Sequence, residues 1–167
     1  FEGIDTIKVQ GGRFTFECPC QEGFTLMVVF PNFSEQPIFA ESGKSVDIQA
    51  DASHLKELTV KGTKANELMN SFRQAINVSP PEEKVKAETF IKDNLESVVS
   101  VYLVKKYFIT CPQPDYQKAY LLTEQIAKSQ PKNGHVQQLL QQLKKLKDIG
   151  VGSRLPNFTA YDTHGKL

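Results

Sequence analysis

The residues best equipped for chemistry are three cysteines, Cys18, Cys20 and Cys111. Cys18-Pro19-Cys20 invites a redox reading, because a low-pKa thiolate beside a second thiol can exchange disulfides. The spacing argues against it. Redox dithiols carry two residues between the cysteines, which sets the first at a helix N-terminus. Here one residue intervenes in a strand-like run. Two positions apart on a strand, the Cα atoms lie about 6.5 Å apart, near the upper limit for a disulfide. A strained Cys18–Cys20 bond and three free thiols that pack are the two alternatives, and the spacing favours free thiols. A metal site needs more ligands than this, and His54, His135 and His164 stand at no finger-like spacing from the cysteines.

The other polar residues give little chemistry. Glu82 and Glu83 belong to a helix start, where the dipole accounts for them. Asp47 and Asp51 lie on or after a strand with no visible partner. No nucleophile elbow, zinc-protease or P-loop pattern occurs. Asn32-Phe33-Ser34 and Asn157-Phe158-Thr159 match the glycosylation sequon, a pattern common by chance. Tyr102, Tyr107, Tyr116 and Tyr120 line either a groove or a helical packing face, and the second fits an aromatic-rich core better. No catalytic, cofactor-binding or metal-binding residue is assigned, and no cofactor is called for.

Bulk properties narrow the class. The chain has 167 residues, 40% hydrophobic and 23% charged, the range of a soluble globular protein. The formal net charge is +1, without the clustered basic excess of a nucleic-acid binder. Lys144, Lys145 and Lys147 read as a solvated helix face. No apolar run approaches the roughly 18 residues of a membrane span. The densest, Val98 to Val104, is interrupted by Ser100 and closed by Lys105 and Lys106.

The elements come in two runs. Gly11-Gly12 predicts a primed hairpin turn, pairing Gln10 with Arg13, Val9 with Phe14, Lys8 with Thr15 and Ile7 with Phe16. Phe24 to Phe30 reads as a strand covered on both faces, since Met27 and Val29 make its second face apolar too. Ser42-Gly43 predicts another hairpin, with Glu41 facing Lys44 and Phe39 facing Val46. Leu58 and Val60 mark a further strand. After Gly62 the period becomes helical. Thr63 caps a helix with Leu68, Met69, Phe72 and Ile76 on one face. Ser79-Pro80-Pro81-Glu82 caps the next. Residues 96–109 form a buried helix, apolar nearly all round. Asp115 opens a helix with the stripe Tyr116, Ala119, Leu122 and Ile126. The last helix carries Val136, Leu139, Leu140, Leu143 and Leu146. Strands followed by helices predict an α+β fold, an N-terminal antiparallel β-sheet or sandwich followed by a C-terminal helical segment. The expected divisions are a β-rich domain at 1–62, a helical segment at 63–149, and at 150–167 a linker with the first strand and turn of a further domain.

The tail, GVGSRLPNFTAYDTHGKL, resembles the opening of the thioredoxin-like fold in TlpA-like and AhpC/TSA-type thiol:disulfide proteins. Val151, Gly152, Pro156, Phe158, Asp162, Gly165 and Lys166 stand where that run has its marked residues. Upstream, Gly12 to Phe16, Glu41 to Ile48, and Val60-Lys61-Gly62-Thr63 with Asn66 are similar to an uncharacterised N-terminal domain that precedes such folds in Gram-negative envelope lipoproteins. Asn94, Ser97 and Ser100 fit the connector of those proteins. That domain usually has strands ahead of the step at Asp5-Thr6, where this sequence almost begins.

The resemblance implies a periplasmic or outer-envelope location, with a lipid anchor, if any, outside this chain. It implies disulfide-bearing protein substrates that react at a Cys-x-x-Cys beyond Leu167, and a homodimer as an option. No nucleic-acid partner is implied. This region would position or present substrate, or mediate dimerisation, and the closing stretch is expected to be a domain boundary. The alternative is a stand-alone envelope module that binds a peptide, glycan or partner protein through exposed aromatics and an open sheet edge.

Overall fold

The computed structural model describes residues 4–19, 23–78 and 82–147. The expected cap at Ser79 to Pro81, Cys20, and the run 150–167 with His164 and Asn157 lie outside the described residues. The fold is α+β: among the described residues, two small antiparallel sheets are followed by five α-helices. The chain divides into two compact units, Phe1–Asn66 and Glu67–Leu167.

In the N-terminal unit, β1 (Phe24–Val29) pairs with β2 (Glu35–Ala40), and β3 (Asp47–Gln49) pairs with β4 (Thr59–Lys61). The two ribbons share one core. Ile38, Leu58 and Val60 are buried, with Leu26, Val28, Phe30, Val46 and Ile48 packed against them. The alternation of β1 puts Phe24, Leu26 and Val28 on the half-buried face.

Three strand expectations change. First, β1 is not covered on both faces, since Met27 and Val29 are 42% and 56% exposed. The strand buried on both faces is β2, where Pro37, Ile38 and Phe39 are consecutive buried residues. Second, the turn at Ser42-Gly43 forms, with Gly43 at φ +70° and the Lys44 N–H donating to the Glu41 carbonyl at 3.1 Å. No Phe39–Val46 ladder follows, because β2 is paired to β1 and β3 to β4. Third, Gly11 and Gly12 take φ +57° and +74°, a primed turn, and Gln10 and Arg13 exchange hydrogen bonds of 2.9 and 3.0 Å. The pairing stops at that bridge, and Ile7, Val9, Phe14 and Phe16 are exposed.

The helices are α1 (Lys64–Val78), α2 (Glu83–Asp93), α3 (Val98–Val104), α4 (Tyr116–Ser129) and α5 (Gly134–Leu146). In the C-terminal unit α3 packs on α2 and α4, and α4 packs on α5. The all-round apolar run becomes α3 followed by a π-helical turn over Lys105–Ile109. Thr110 closes that turn, its N–H and hydroxyl both donating to the Lys105 carbonyl at 2.8 and 3.0 Å. The N-caps of α3, α4 and α5 are side chains. Ser97 accepts from the Val99 N–H, Asp115 from Lys118 and Asn133 from Val136. Phe72 stands edge-on to Phe90 and to Tyr107, with ring centroids 5.1 and 5.9 Å apart.

Among the described residues, Thr123 Oγ1 is buried with no hydrogen-bond partner. An unpaired buried hydroxyl costs about 1–3 kcal/mol. Thr123→Val keeps the shape and removes that cost. It is expected to stabilise the chain by about 1 kcal/mol, read as a rise in the urea midpoint with an unchanged slope.

Candidate functional site

The polar residues of the sequence motifs gather at two structural junctions. The first is the step from β4 into α1. Gly62 sits at φ +110°, so close to Ser45 that a Cβ would overlap its carbonyl oxygen. Thr63 is buried and caps α1, its hydroxyl accepting from the Asn66 N–H at 3.2 Å. Asn66 is fully buried, and its side-chain amide does what a neighbouring strand would do. Its Oδ1 accepts from the Phe39 N–H at 2.9 Å, and its Nδ2 donates to the Phe39 carbonyl at 2.8 Å and to Thr63 Oγ1 at 2.8 Å. The Thr63 hydroxyl also donates to the Phe39 carbonyl, at 3.3 Å. The Gly62-Thr63-x-x-Asn66 pattern is therefore a clamp on the β2 main chain.

The second junction joins α2 to α3. The Asn94 side chain donates to the Phe90 carbonyl at 2.8 Å, and the Ser97 N–H donates to the Asn94 carbonyl at 3.0 Å. The Ser100 hydroxyl, on a fully buried residue, donates to the same Asn94 carbonyl at 2.6 Å. Gln130 reaches across from the end of α4 to donate to the Leu95 carbonyl at 2.7 Å. The Asn94, Ser97 and Ser100 spacing thus makes a turn lock.

The other candidates stay apart. Cys18 and Cys111 are free and half-buried. The Cys111 thiol donates to the Gln113 carbonyl at 3.1 Å. Asp47 and Asp51, which the sequence leaves without partners, have local ones. Asp47 accepts from Gln49, and Asp51 accepts from the Ser53 N–H at 2.7 Å with His54 Nδ1 at 3.8 Å. The Ser53 hydrogen bond holds the Asp51 carboxyl below its usual value. Asn32 accepts from both the N–H and the hydroxyl of Ser34, so its side chain serves the turn. Of the tyrosines, Tyr107 is buried and donates to Glu83 at 3.1 Å, and burial pushes its phenol well up. Lys106 stands over the Tyr102 and Tyr107 rings and Lys147 over the Tyr120 ring. Among the described residues, no group of three or more His, Cys, Asp or Glu could hold a metal ion. No helix among them is long and apolar enough to cross a membrane.

Two charged residues escaped the sequence reading. Arg73, on α1, is buried and donates to Asn70 at 2.9 Å. Burial pulls its guanidinium down to about 10, with Tyr102 acting the other way, so it remains a cation at neutral pH. Arginine is rarely buried, and the neighbouring Met69 and Phe72 were the signal. Glu88 joins α2 to α4, accepting from Lys92 at 2.7 Å and Lys118 at 3.1 Å. Those hydrogen bonds hold its carboxyl below the usual value. A depressed carboxyl stabilises the fold above its unfolded pKa and loses that contribution as pH falls through the folded value. Glu88→Gln is expected to cost under about 1 kcal/mol at pH 7. Wild type and variant should begin to converge in urea melts as pH falls below the ordinary glutamate value, about 4.3, and meet once pH lies below the depressed folded-state value.

Residues 1–69 match the model of a family described as a domain of unknown function (DUF4369). No curated protein matches the chain, and no solved structure matches it.

Proposed function

We propose that the chain is the non-catalytic N-terminal region of a cell-envelope thiol:disulfide interchange protein. In this reading it positions or presents disulfide substrates, or mediates dimerisation, for a thioredoxin-like domain whose opening is the run from Val151 to Lys166. The observation that carries the non-catalytic part is the commitment of the motif side chains. Thr63, Asn66, Asn94, Ser97 and Ser100 all hold main-chain groups of their own fold. The redox part rests on the tail resemblance alone.

The 167-residue chain is expected to reduce insulin no faster than the reductant-only background, with thiol counts at Cys18 and Cys111 unchanged by added reductant. Turnover above background would overturn the non-catalytic assignment. The codons after Leu167 test the other half, since absence of a Cys-x-x-Cys within about 50 residues removes its basis.

One observation favours the binding-module reading. Phe33, at the tip of the β1–β2 hairpin, is 88% exposed and held at φ +60°. Its N–H donates to the Phe30 carbonyl at 2.8 Å, and Ser34 and Asn32 brace the turn. A strained, exposed aromatic on a braced tip suits recognition. Calorimetry with peptides or glycans would favour this reading if binding occurs and Phe33→Ala abolishes it.

A further inference from the structure

We propose that the free edge of β1 pairs with β1 of a second copy of this chain, forming a four-stranded antiparallel sheet about a two-fold axis at Met27. This pairing supplies the surface for the dimerisation reading above and rests on that reading, not on its redox half.

The β1–β2 ribbon is closed to a further strand on one side. At the far edge of β2, Asn66 takes the Phe39 N–H and carbonyl, and Pro37 has no N–H to offer. On β1 the main-chain groups point alternately to either side. The Phe30 N–H donates to the Ser34 carbonyl at 2.9 Å, so Phe30, and by alternation Val28, Leu26 and Phe24, turn toward β2. Phe39, which faces Asn66, lies opposite Thr25. Both observations turn the groups of Thr25, Met27 and Val29 to the far edge. Among the described residues, β2 is the one ladder partner of β1.

That edge carries none of the usual guards. Strands that stay single at an edge are protected by charges, prolines or bulges. No charged residue occurs from Gly23 to Phe33, and β1 contains no proline. The side chains beside the outward groups are exposed, and two of the three, Met27 and Val29, are apolar.

Symmetry selects a second copy over a foreign strand. The three outward-facing residues form an odd set with Met27 at its centre. A two-fold axis there pairs Met27 with the partner's Met27 and Thr25 with the partner's Val29, so every outward donor meets an acceptor. On the half-buried face, Leu26 stands beside the partner's Val28 and Phe24 beside the partner's Phe30, and the apolar row continues across the joint. Slipping by one residue mispairs the main chain and swaps the faces. Slipping by two either sets Thr25 against Pro31, which has no N–H, or carries Val29 past the end of the strand to Gly23. A joint of one short strand per chain is small, so the association is weak and concentration-dependent.

Cross-linking reads the register. With Cys18, Cys20 and Cys111 changed to serine, Met27→Cys places two thiols at the axis, their Cα atoms about 5.5 Å apart and within disulfide range. Thr25→Cys places them about 13 Å apart, beyond it. Under mild oxidant, Met27→Cys is expected to form disulfide dimers on the order of tenfold faster than Thr25→Cys or Val29→Cys. Equal rates at the three positions, or no cross-link at any, would overturn the pairing. Sedimentation equilibrium of the full 167-residue chain gives a second readout, with mass expected to rise toward the dimer as concentration increases. Thr25→Lys combined with Val29→Lys sets lysine against lysine across the joint and should leave a monomer. Thr25→Glu combined with Val29→Lys sets opposite charges together and should restore the dimer. A dimer that survives the first combination, or stays lost in the second, would overturn the proposal. A wild-type monomer at every concentration would do so too, and slow exchange of the Met27 and Val29 amides in that monomer would show the edge covered from within the chain. Insulin reduction and the codons after Leu167 are independent of these outcomes, so failure of the joint leaves the redox half standing.

Discussion

Replacing Asn66 by alanine is expected to destabilise the N-terminal unit by about 3 kcal/mol. The side-chain amide holds both main-chain groups of Phe39, at 2.9 and 2.8 Å, in a buried setting. Removing a partner from a buried donor or acceptor costs about 1–3 kcal/mol per group. A domain of this length carries only about 3–10 kcal/mol in total, so the loss should release β2 amides to exchange and shift the urea midpoint strongly. Asn66→Asp separates the two bonds. Its carboxylate still accepts from the Phe39 N–H but faces the Phe39 carbonyl with a second acceptor. Protonation supplies the missing donor, so the folded-state pKa of this aspartate is raised. A raised carboxyl makes the charged form costly, and the variant should recover stability relative to wild type as pH falls below the folded value. Urea melts of both variants across pH check this. An Asp variant that tracks alanine at every pH would mean that neither bond to Phe39 contributes.

Local rules were legible in the sequence, and long-range choices were not. The turns at Gly11-Gly12 and Ser42-Gly43 follow from short-range backbone demands, and both formed with positive φ. The caps at Thr63 and Asp115 likewise need only the first turn of their helices. Which strand lies between two layers is a different matter. FTLMVV and EQPIFA both carry apolar residues on both faces, and Pro37 argues for an edge position. The proline is tolerated inside a buried strand because it falls at the same parity as Phe39, with its nitrogen turned away from β1. The turn at Gly43 did not fix the pairing of β2 with β3, because Ile48 found Val60 instead. The clamp was visible as a pattern but not as a contact, since Asn66 and Phe39 are 27 residues apart. The π-helical turn after α3 was invisible for a related reason. It depends on Thr110 reaching back to Lys105, and residue propensities do not encode that bond.

Gly62→Ala is expected to be the most damaging of the glycine substitutions, at about 4 kcal/mol, because two penalties coincide. A φ of +110° lies in a region that L side chains rarely adopt. The added methyl would also meet the Ser45 carbonyl, which is main chain and cannot swing aside as a side chain would. Relief requires the Ser45–Val46 segment to move. Val46 packs on the core that holds Ile38, Leu58 and Val60, so the movement would disturb both ribbons. Gly43→Ala provides the internal comparison. Gly43 also has positive φ, +70°, but nothing lies within 4 Å of its missing Cβ. Its cost should be conformational alone, about 1 kcal/mol. Urea denaturation of the two variants side by side measures the difference, which is the contribution of the Gly62–Ser45 approach. Equal losses would show that the step into α1 relaxes freely, and the tight approach would then have no bearing on how Thr63 and Asn66 are presented to β2.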